Sequence, residues 1–223
     1  LCISFPSHGD VNVVDHVSFD VRPGQCMALV GESGCGKTTL LNIMGGMDNP
    51  SGGTLTFMGE DYSQADDRAL TEFRRSSVGF IFQSYNLMPN LNAIRNLQLI
   101  AELVDDPMDT AEALEIVGLA DKKSNYPSQL SGGPQQRVSI ARAIVKKPKI
   151  ILADEPTAAL DYETSIEVLQ VLKKVVESGT TLVMVTHNRE IARMADRVIS
   201  MRDGKMYETI INRHPADATE LVW

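Results

Sequence analysis

Apolar positions along the chain follow two periods, which divide it into strands and helices. Four short continuous apolar runs are typical of buried parallel strands: 26–30, 78–82, 149–153 and 181–186. Four segments carry apolar residues at helical spacing: one from Thr38 onward, then 134–144, 162–177 and 189–195. Because strands and helices alternate, the pattern predicts an α/β fold around a mostly parallel sheet.

Two other patterns predict antiparallel structure. Residues 17–21 alternate apolar and polar positions ahead of Pro23-Gly24, which is typical of a strand and bend in an antiparallel flap. Residues 198–202 and 205–211 flank Asp203-Gly204, a dipeptide that favours a tight hairpin turn. We therefore expect a β flap near the start of the chain and a closing hairpin near its end.

Residues 86–118 keep helical spacing, contain few strand-like runs and are broken by Pro107. This segment is predicted to belong to an inserted helical lobe. We expect a single domain over residues 1–223. Its core and β flap together cover about 1–84 and 148–211, its helical lobe covers about 85–147, and a loosely docked tail covers 212–223.

Composition narrows the class of protein. The chain has 223 residues, 43% of them hydrophobic, which is enough for a full core. Its formal charge of −8 disfavours nucleic acid as a partner, because clustered Lys and Arg supply that affinity. Cys2, Cys26 and Cys35 form no Cys-x-x-Cys pair, which fits a reducing cytosol. No apolar run approaches the ~20 residues that span a bilayer, and no secretory leader is visible.

The segment Gly31-Glu32-Ser33-Gly34-Cys35-Gly36-Lys37-Thr38 matches the phosphate-binding pattern G-x-x-x-x-G-K-[ST] between a predicted strand and a predicted helix. Its glycines allow backbone N–H groups to surround phosphate oxygens at a helix N-terminus. We expect Lys37 to reach the β- and γ-phosphates of ATP, Thr38 to ligate Mg²⁺, and Thr39 to bind the nucleotide beside it. A chance match in such a chain has odds on the order of one in a hundred, and the strand-to-helix context lowers them.

Two adjacent carboxylates, Asp154 and Glu155, follow a predicted buried strand. Charges in that position are costly unless they hold a cation or a reacting water. Asp154 is expected to bind Mg²⁺ through the water shell of the ion, and Glu155 to act as the general base in hydrolysis. The alternative is a purely structural loop, since Asp-Glu-Pro-Thr also suits the entry to the helix at Tyr162.

A second candidate phosphate site lies apart from the first. Leu130-Ser131-Gly132-Gly133 precedes a predicted helix, whose N-terminus can offer backbone N–H groups to a phosphate. One fold does not easily bring this segment and the phosphate loop to the same nucleotide. The sequence therefore predicts that two copies of the chain share each nucleotide between them.

Together these motifs closely resemble the nucleotide-binding subunit of ABC transporters over nearly the whole chain. Segments similar to the family's other motifs follow the phosphate loop in the family's order: Gln83 after 79–82 (the Q-loop), 130–133 (the signature), 150–155 (Walker B), 159–161 (the D-loop) and His187 after 181–186 (the switch histidine). The resemblance implies the ABC ATPase fold, in which a P-loop NTPase core with a mostly parallel sheet carries an antiparallel β flap and an inserted α-helical lobe.

The resemblance also implies a division of labour between two subunits docked head to tail around ATP. The Ser-Gly-Gly residues 131–133 of one subunit would meet the γ-phosphate held by the phosphate loop of the other. His187 would contact the γ-phosphate, Gln83 would help hold Mg²⁺ and water, and Asp161 would cross the interface. Taken alone, a histidine after an apolar strand is more often a structural residue, so only its accompanying motifs give His187 this role.

An integral membrane permease is the further partner that the resemblance implies, and it would hold the chain at the cytoplasmic, inner face of the cell membrane. Residues 41–48, 79–89 and 201–205 are similar to the macrolide-exporter and lipoprotein-releasing branch, although amino-acid importers share related strings. Against the family, the lobe around 104–110 is several residues short. The alternative class is a non-transport ABC protein, either a nucleic-acid or ribosome machine or a regulatory scaffold like the cell-division relatives.

Two single residues complete the comparison with the family. Phe5 occupies the place of the aromatic residue that stacks on adenine, with His8 as the rival and an ordinary strand-core role as the alternative. Pro134 is the clearest departure, because the family usually has Gln or Glu directly after Ser-Gly-Gly. Proline is tolerated in the first turn of a helix, so we expect the helix to form while dimer closure or turnover is weakened.

Overall fold

The computed structural model describes residues 3–4 and 12–223. The strands in these residues are β1 (Ile3–Ser4), β2 (Asn12–Val14), β3 (Cys26–Gly31), β4 (Thr56–Phe57), β5 (Glu60–Asp61), β6 (Val78–Ile81), β7 (Ile150–Asp154), β8 (Thr181–Thr186), β9 (Arg197–Arg202) and β10 (Lys205–Ile211). The α-helices are α1 (Lys37–Met44), α2 (Asp67–Ser76), α3 (Ala93–Ala101), α4 (Thr110–Ile116), α5 (Gly132–Ile144), α6 (Tyr162–Glu177) and α7 (Arg189–Ala192).

The central sheet has the strand order β10-β9-β3-β8-β7-β6. Its strands pair in parallel, except that β10 returns antiparallel to β9 through the Asp203-Gly204 turn. Both turn residues have positive φ, 48° and 76°, as a tight hairpin turn requires. The predicted α/β fold with a mostly parallel sheet is confirmed, as is the closing hairpin.

Alternate residues of the buried strands enter two hydrophobic clusters on opposite faces of the sheet, because side chains alternate along a strand. In β3, Met27 and Leu29 face the cluster that contains α1, whereas Ala28 and Val30 face the cluster formed with α5 and α6. Fully burying a side chain such as Met27 or Leu29 contributes roughly 1.5–3 kcal/mol to the stability of the fold. Burial on both faces explains why the core strands are continuous apolar runs in the sequence.

Helix α5 connects the sheet with the other helices of the predicted lobe. It packs against β6 and α6 on one side and against α3 and α4 on the other. Leu97 of α3 and Leu114 of α4 are fully buried in the same cluster as Ile151 of β7. The helices expected within 86–118 are present, with Pro107 between them, whereas the boundaries of the lobe stay a prediction.

The flap differs from its prediction. Residues 17–21 form no strand within the described chain, although the Pro23-Gly24 turn is present. Their alternation has another cause, since Val17 is buried with Val14 against one face of the sheet while Ser18 lies exposed. Antiparallel pairing is found instead between β1 and β2 and between β4 and β5.

Residues 45–77, for which the pattern predicted no element, contain the β4–β5 pair and helix α2. The Asp66 side chain caps α2 by accepting a hydrogen bond from the Ala69 N–H at 2.8 Å. Leu70 and Phe73 are the buried side chains of α2, so its apolar face consists of only two residues. The cap residue was the available sequence signal for this helix.

The last residues are docked more firmly than predicted. Ala218 and Leu221 are fully buried, and the Tyr162 hydroxyl donates to the Leu221 carbonyl oxygen at 2.7 Å. Lys173 and Asp217 form an ion pair at 2.5 Å between α6 and this segment. In the described part of the chain, no helix combines the length and apolar character needed to cross a membrane.

Candidate functional site

The candidate site lies where the parallel strands of the sheet end. Carboxyl ends of parallel strands share one edge, and in open α/β sheets ligands bind outside that edge. This edge carries the phosphate loop after β3, Gln83 after β6, Asp154 at the end of β7 and His187 after β8. The fold therefore collects the predicted catalytic and metal-binding residues on one side of the sheet.

Glycines of the phosphate loop are required by backbone conformation and by close packing. Gly34 and Gly36 have φ of 80° and 95°, a region that residues with a Cβ rarely adopt. A Cβ at Gly36 would also lie 2.4 Å from the Val13 carbonyl oxygen, and one at Gly31 would lie 2.4 Å from the Met201 carbonyl oxygen. The loop shape thus depends on the absence of side chains at these positions.

Lys37 is held beneath the loop at the start of α1. Its side chain is 6% exposed, and Nζ donates to the carbonyl oxygens of Gly31 at 2.8 Å and Glu32 at 2.7 Å. The α1 N-terminus opens toward the same loop, so its unpaired N–H groups and the ammonium group supply positive charge together. This arrangement suits a polyphosphate.

Thr38 and Asp154 are brought together at the edge of the sheet. The Thr38 hydroxyl donates to the two Asp154 carboxylate oxygens at 3.2 and 3.1 Å. Burial is the largest effect on Asp154 and raises its pKa. The hydrogen bond from the Thr38 hydroxyl opposes part of that rise, and the charges of Glu155 and Lys37 have smaller effects that respectively raise and lower the pKa. A half-buried carboxylate beside a hydroxyl is a donor set of hard oxygens, which is what Mg²⁺ prefers.

Within the described residues, no group of three or more His, Cys, Asp and Glu side chains could hold a metal by itself. Mg²⁺ usually keeps several waters and binds through one or two protein oxygens together with substrate phosphates. The Thr38 and Asp154 pair beside the phosphate loop fits that mode of binding.

Glu155 and His187 face each other across neighbouring strands. The register pairs Asp154 with Val185, and the Glu155 N–H donates to the Val185 carbonyl oxygen at 3.0 Å. His187 Nδ1 lies 2.9 and 3.0 Å from the two Glu155 carboxylate oxygens. Glu155 has a positive φ of 47°, a strained backbone conformation that is common at active sites. Two residues for which the sequence predicted separate roles are therefore in direct contact.

Gln83 reaches the same edge without joining this contact. The register pairs Ile81 of β6 with Ala153 of β7, so the chain leaves the sheet beside the Asp154 strand end. Gln83 is exposed in the following turn. The structure places it near the predicted metal site by strand order alone.

The Ser-Gly-Gly segment forms the start of α5. Ser131 is the N-cap residue and is exposed, while Gly132 and Gly133 belong to the helix. A Cβ at Gly133 would lie 2.0 Å from Thr164 Cγ2, and one at Gly132 would lie 2.8 Å from the Tyr85 hydroxyl oxygen. Close packing against neighbouring side chains explains these two glycines.

A cavity of about 310 Å³ lies against the phosphate loop. It is bordered by Gly31 to Cys35, by His187 and by residues of the β9–β10 hairpin, and the described residues 131–133 do not line it. The phosphate loop packs beside Val13 and Met201. Gly132 and Gly133 instead lie against Tyr85 and Thr164, so the two segments have different neighbours within one chain.

Asp161 has a local role that the sequence comparison did not predict. Its carboxylate caps α6 by accepting hydrogen bonds from the Thr164 N–H and the Thr164 hydroxyl, both at 2.9 Å. These two hydrogen bonds lower the pKa of Asp161. Phe5 and His8, the candidates for adenine stacking, lie outside the described residues.

Gln136 of α5 is another residue that the sequence reasoning missed. It is fully buried, and its side-chain amide donates to the Pro156 carbonyl oxygen at 2.9 Å, directly after Glu155. Its own carbonyl oxygen has no partner among the described residues. A polar residue on the buried face of a helix was the only sequence signal for this link.

Comparisons with known proteins agree with this geometry. A family model described as ABC transporter matches residues 14–158. The chain is 47% identical over 201 residues to the macrolide export ATP-binding/permease protein MacB of Sodalis glossinidius, covering 88% of this chain and 31% of that protein. It is 42% identical over 202 residues to the ABC transporter ATP-binding protein YvrO of Bacillus subtilis, covering 88% of each.

A solved structure shares the whole fold. It is a dimeric, post-hydrolysis form of the ATP-binding cassette MJ0796 bound to ADP and Pi, with a TM-score of 0.85 and 36% sequence identity over 96% of both chains. The chain spans about a third of the length of the MacB relatives that it matches.

Proposed function

The chain belongs to the ABC transporter family, and we propose that two copies of it bind two ATP molecules between them and hydrolyse them to drive a membrane permease. ATP hydrolysis is the activity of this family's cassette. The observation that carries the shared-site proposal is that the phosphate loop and the Ser-Gly-Gly segment have different neighbours within one chain, Val13 and Met201 for the loop and Tyr85 and Thr164 for the segment. The similar MJ0796 cassette is described as dimeric.

In each copy, the phosphate loop binds the ATP phosphates. Its N–H groups and Lys37 carry the positive charge that the β- and γ-phosphates require, and Thr39 lies next to them in the first turn of α1. Thr38, Asp154 and Gln83 would hold Mg²⁺, which neutralises phosphate charge when it is bound. Phe5 would stack on the adenine ring.

Glu155 is the general base in this proposal. Its carboxylate takes a proton from the attacking water as the water oxygen bonds to the γ-phosphorus and the bond to the ADP oxygen breaks. The contact with His187 holds the Glu155 carboxylate in place before the reaction, so that it rearranges little when the water is activated. His187 is also exposed enough to reach the γ-phosphate.

The second copy completes the site. Ser131 and the N–H groups of Gly132 and Gly133 approach the γ-phosphate from the opposite chain, with the positive end of α5 behind them. Asp161, which begins α6 beside this segment, lies at the same interface. Hydrolysis therefore depends on dimerisation.

We place the permease contact on the helical lobe and the turn after Gln83, and the cassette at the inner face of the cell membrane. The MacB relatives are described as ATP-binding and permease proteins in one chain, and they motivate a partner of the exporter or lipoprotein-releasing type. Copurification from detergent-solubilised membranes tests this proposal. Recovery of ribosomes or nucleic acid in place of an integral membrane protein would favour a non-transport role.

The Glu155→Gln variant tests the shared site. With ATP and Mg²⁺ it should elute from a sizing column as a dimer, because nucleotide binds and closes the interface while hydrolysis stops. The control variant Glu177→Gln changes an exposed glutamate at the end of α6 and should behave like the wild type. A Glu155→Gln protein that stays monomeric, with wild-type hydrolysis first order in protein concentration, would contradict the proposal.

A further inference from the structure

The turn after Gln83 has a strained backbone. Tyr85 and Asn86 are consecutive non-glycine residues with φ of 61° and 51°. Side chains make this left-handed region unfavourable, and bulky residues seldom adopt it. Such a turn persists only where its surroundings hold it.

Arg142 of α5 provides that restraint. Its guanidinium donates to the Tyr85 carbonyl oxygen at 3.0 Å and also to the Asn86 carbonyl oxygen. The planar fork of arginine suits two adjacent acceptors, whereas a lysine ammonium does not reproduce this geometry. Burial lowers the pKa of Arg142, but an arginine remains charged at physiological pH.

Tyr85 also touches the other end of the same helix. Its hydroxyl oxygen lies 2.8 Å from where a Cβ on Gly132 would stand, at the first residue of α5. Arg142 lies in the last turn of α5. One residue of the turn is therefore in contact with both ends of the helix that carries the Ser-Gly-Gly segment.

We propose that Arg142 is a positioning residue that holds the Tyr85-Asn86 turn in its left-handed conformation and so fixes Gln83 at the catalytic edge relative to the Ser-Gly-Gly end of α5. This inference rests on the proposed function, in which Gln83 serves the nucleotide of its own chain and the Ser-Gly-Gly segment serves the partner's. This restraint, which we call the Arg142 clamp, makes Gln83 and the Ser-Gly-Gly end of α5 move as one unit.

The test first removes the Arg142 guanidinium and then relieves the backbone strain of the turn. Arg142→Met should lower kcat for ATP hydrolysis about 10-fold or more, because a small displacement of positioning groups is costly to the reaction. Binding of a fluorescent ATP analogue to the phosphate loop should change less than about 2-fold, since the hydrogen bonds of Lys37 stay within that loop and those of Arg142 go to the turn. Arg142→Lys keeps the charge but loses the planar fork, so its kcat should lie between those of the wild type and Arg142→Met. It takes the place of Arg142→Met if that variant does not fold.

Asn86→Gly provides the rescue. Glycine adopts positive φ without steric cost, so Arg142→Met/Asn86→Gly should recover at least half of the lost kcat. Arg137→Met is the matched control, because Arg137 lies on the same helix and pairs with Glu167 at 3.4 Å rather than with the turn. Asn86→Gly should restore none of the kcat that Arg137→Met loses.

Hydrogen exchange of residues 83–86 gives a second readout that needs no hydrolysis. Exchange should speed up in Arg142→Met and stay at the wild-type rate in Arg137→Met. Unchanged exchange in Arg142→Met, or an equal loss of kcat in both variants without rescue, would overturn the clamp. A wild-type protein that neither dimerises with ATP nor hydrolyses it would instead refute the proposed function, while the exchange experiment would still decide the clamp.

Discussion

The phosphate loop and the Ser-Gly-Gly segment both place glycines at the start of a helix, and their glycines are needed for different reasons. Gly34 and Gly36 have left-handed backbones before α1. Gly132 and Gly133 belong to α5, and Gly133 is required because a Cβ there would meet Thr164 Cγ2 at 2.0 Å. The first site is constrained by its own backbone conformation and by neighbouring backbone atoms, and the second by the side chains that lie against it.

This difference has consequences for substitution. A backbone conformation cannot be repaired by changing a neighbouring side chain, whereas a packing contact can be. No second substitution should therefore rescue a side chain at Gly36, the most constrained glycine of the phosphate loop. A side chain introduced in the Ser-Gly-Gly segment should instead be accommodated when Tyr85 or Thr164 is made smaller.

Gly36→Ala should have the largest effect. It combines a φ of 95° with a contact of 2.4 Å to the Val13 carbonyl oxygen, so we expect the free energy of unfolding to fall by roughly 2–4 kcal/mol and ATP binding to be lost. Urea unfolding and binding of an ATP analogue measure the two effects. Gly34→Ala is the control, since a Cβ there meets nothing within 4 Å and only the backbone cost remains. Equal losses of stability in both variants would contradict the packing contribution.

Gly133→Ala should have the next largest effect, about 1–3 kcal/mol of stability from overpacking against Thr164. ATP binding by the phosphate loop should be unchanged, while ATP-dependent dimerisation should weaken. Thr164→Ser removes Cγ2 and keeps the hydroxyl that donates to Asp161, so the double variant should recover most of the loss. Absence of recovery would mean that Gly133 is constrained by its backbone after all.

Asp154→Asn should change stability in the opposite direction. Because burial raises the folded pKa of Asp154, its charged form costs stability above the unfolded pKa of about 3.9, and this cost fades as pH falls from the folded pKa toward that value. The variant should therefore have a higher Tm at pH 7 without nucleotide, no advantage below about pH 4, and no ATPase activity. Thermal unfolding over this pH range tests the sign, and a lower Tm at pH 7 would contradict it.

Pro134→Gln should have the smallest effect on the fold. Pro134 is the third residue of α5, where its missing N–H has no intrahelical partner, so stability should change by less than about 0.5 kcal/mol. The restored side chain should raise ATPase turnover modestly. The assay needs saturating ATP and the membrane partner, and equal turnover in both proteins would argue against a role for this position.

Much of the fold followed from the apolar pattern because the core strands are buried on both faces. Helix α6 and strand β8 have the predicted ends, and the hairpin at Asp203-Gly204 is where its turn residues placed it. Residues 17–21 failed as a strand because one-sided packing of Val17 produces the same alternation as a sheet edge. Helix α2 was missed because most of its surface is exposed and charged.

The candidate site was predictable where motif residues close a strand. Glu155 and His187 meet because β7 and β8 are parallel neighbours, an arrangement that strand-end motifs anticipate. Links through the interior were not predictable, since nothing in the sequence pairs Gln136 with Pro156 or Arg142 with the Tyr85 carbonyl. Such contacts depend on the packing of distant segments, which no local pattern encodes.

The strand order also determines when a newly made chain can complete its nucleotide site. Strand β3 precedes its neighbours β8 and β9 in the chain by a long stretch, and it pairs Cys26 with Leu182 and Met27 with Arg197. Both hydrogen-bonding edges of the strand that leads into the phosphate loop therefore stay unpaired until β8 and β9 have been synthesised. An apolar strand with two unpaired edges is prone to aggregation, so the interval before β8 and β9 are made is the vulnerable stage in the synthesis of the nucleotide site.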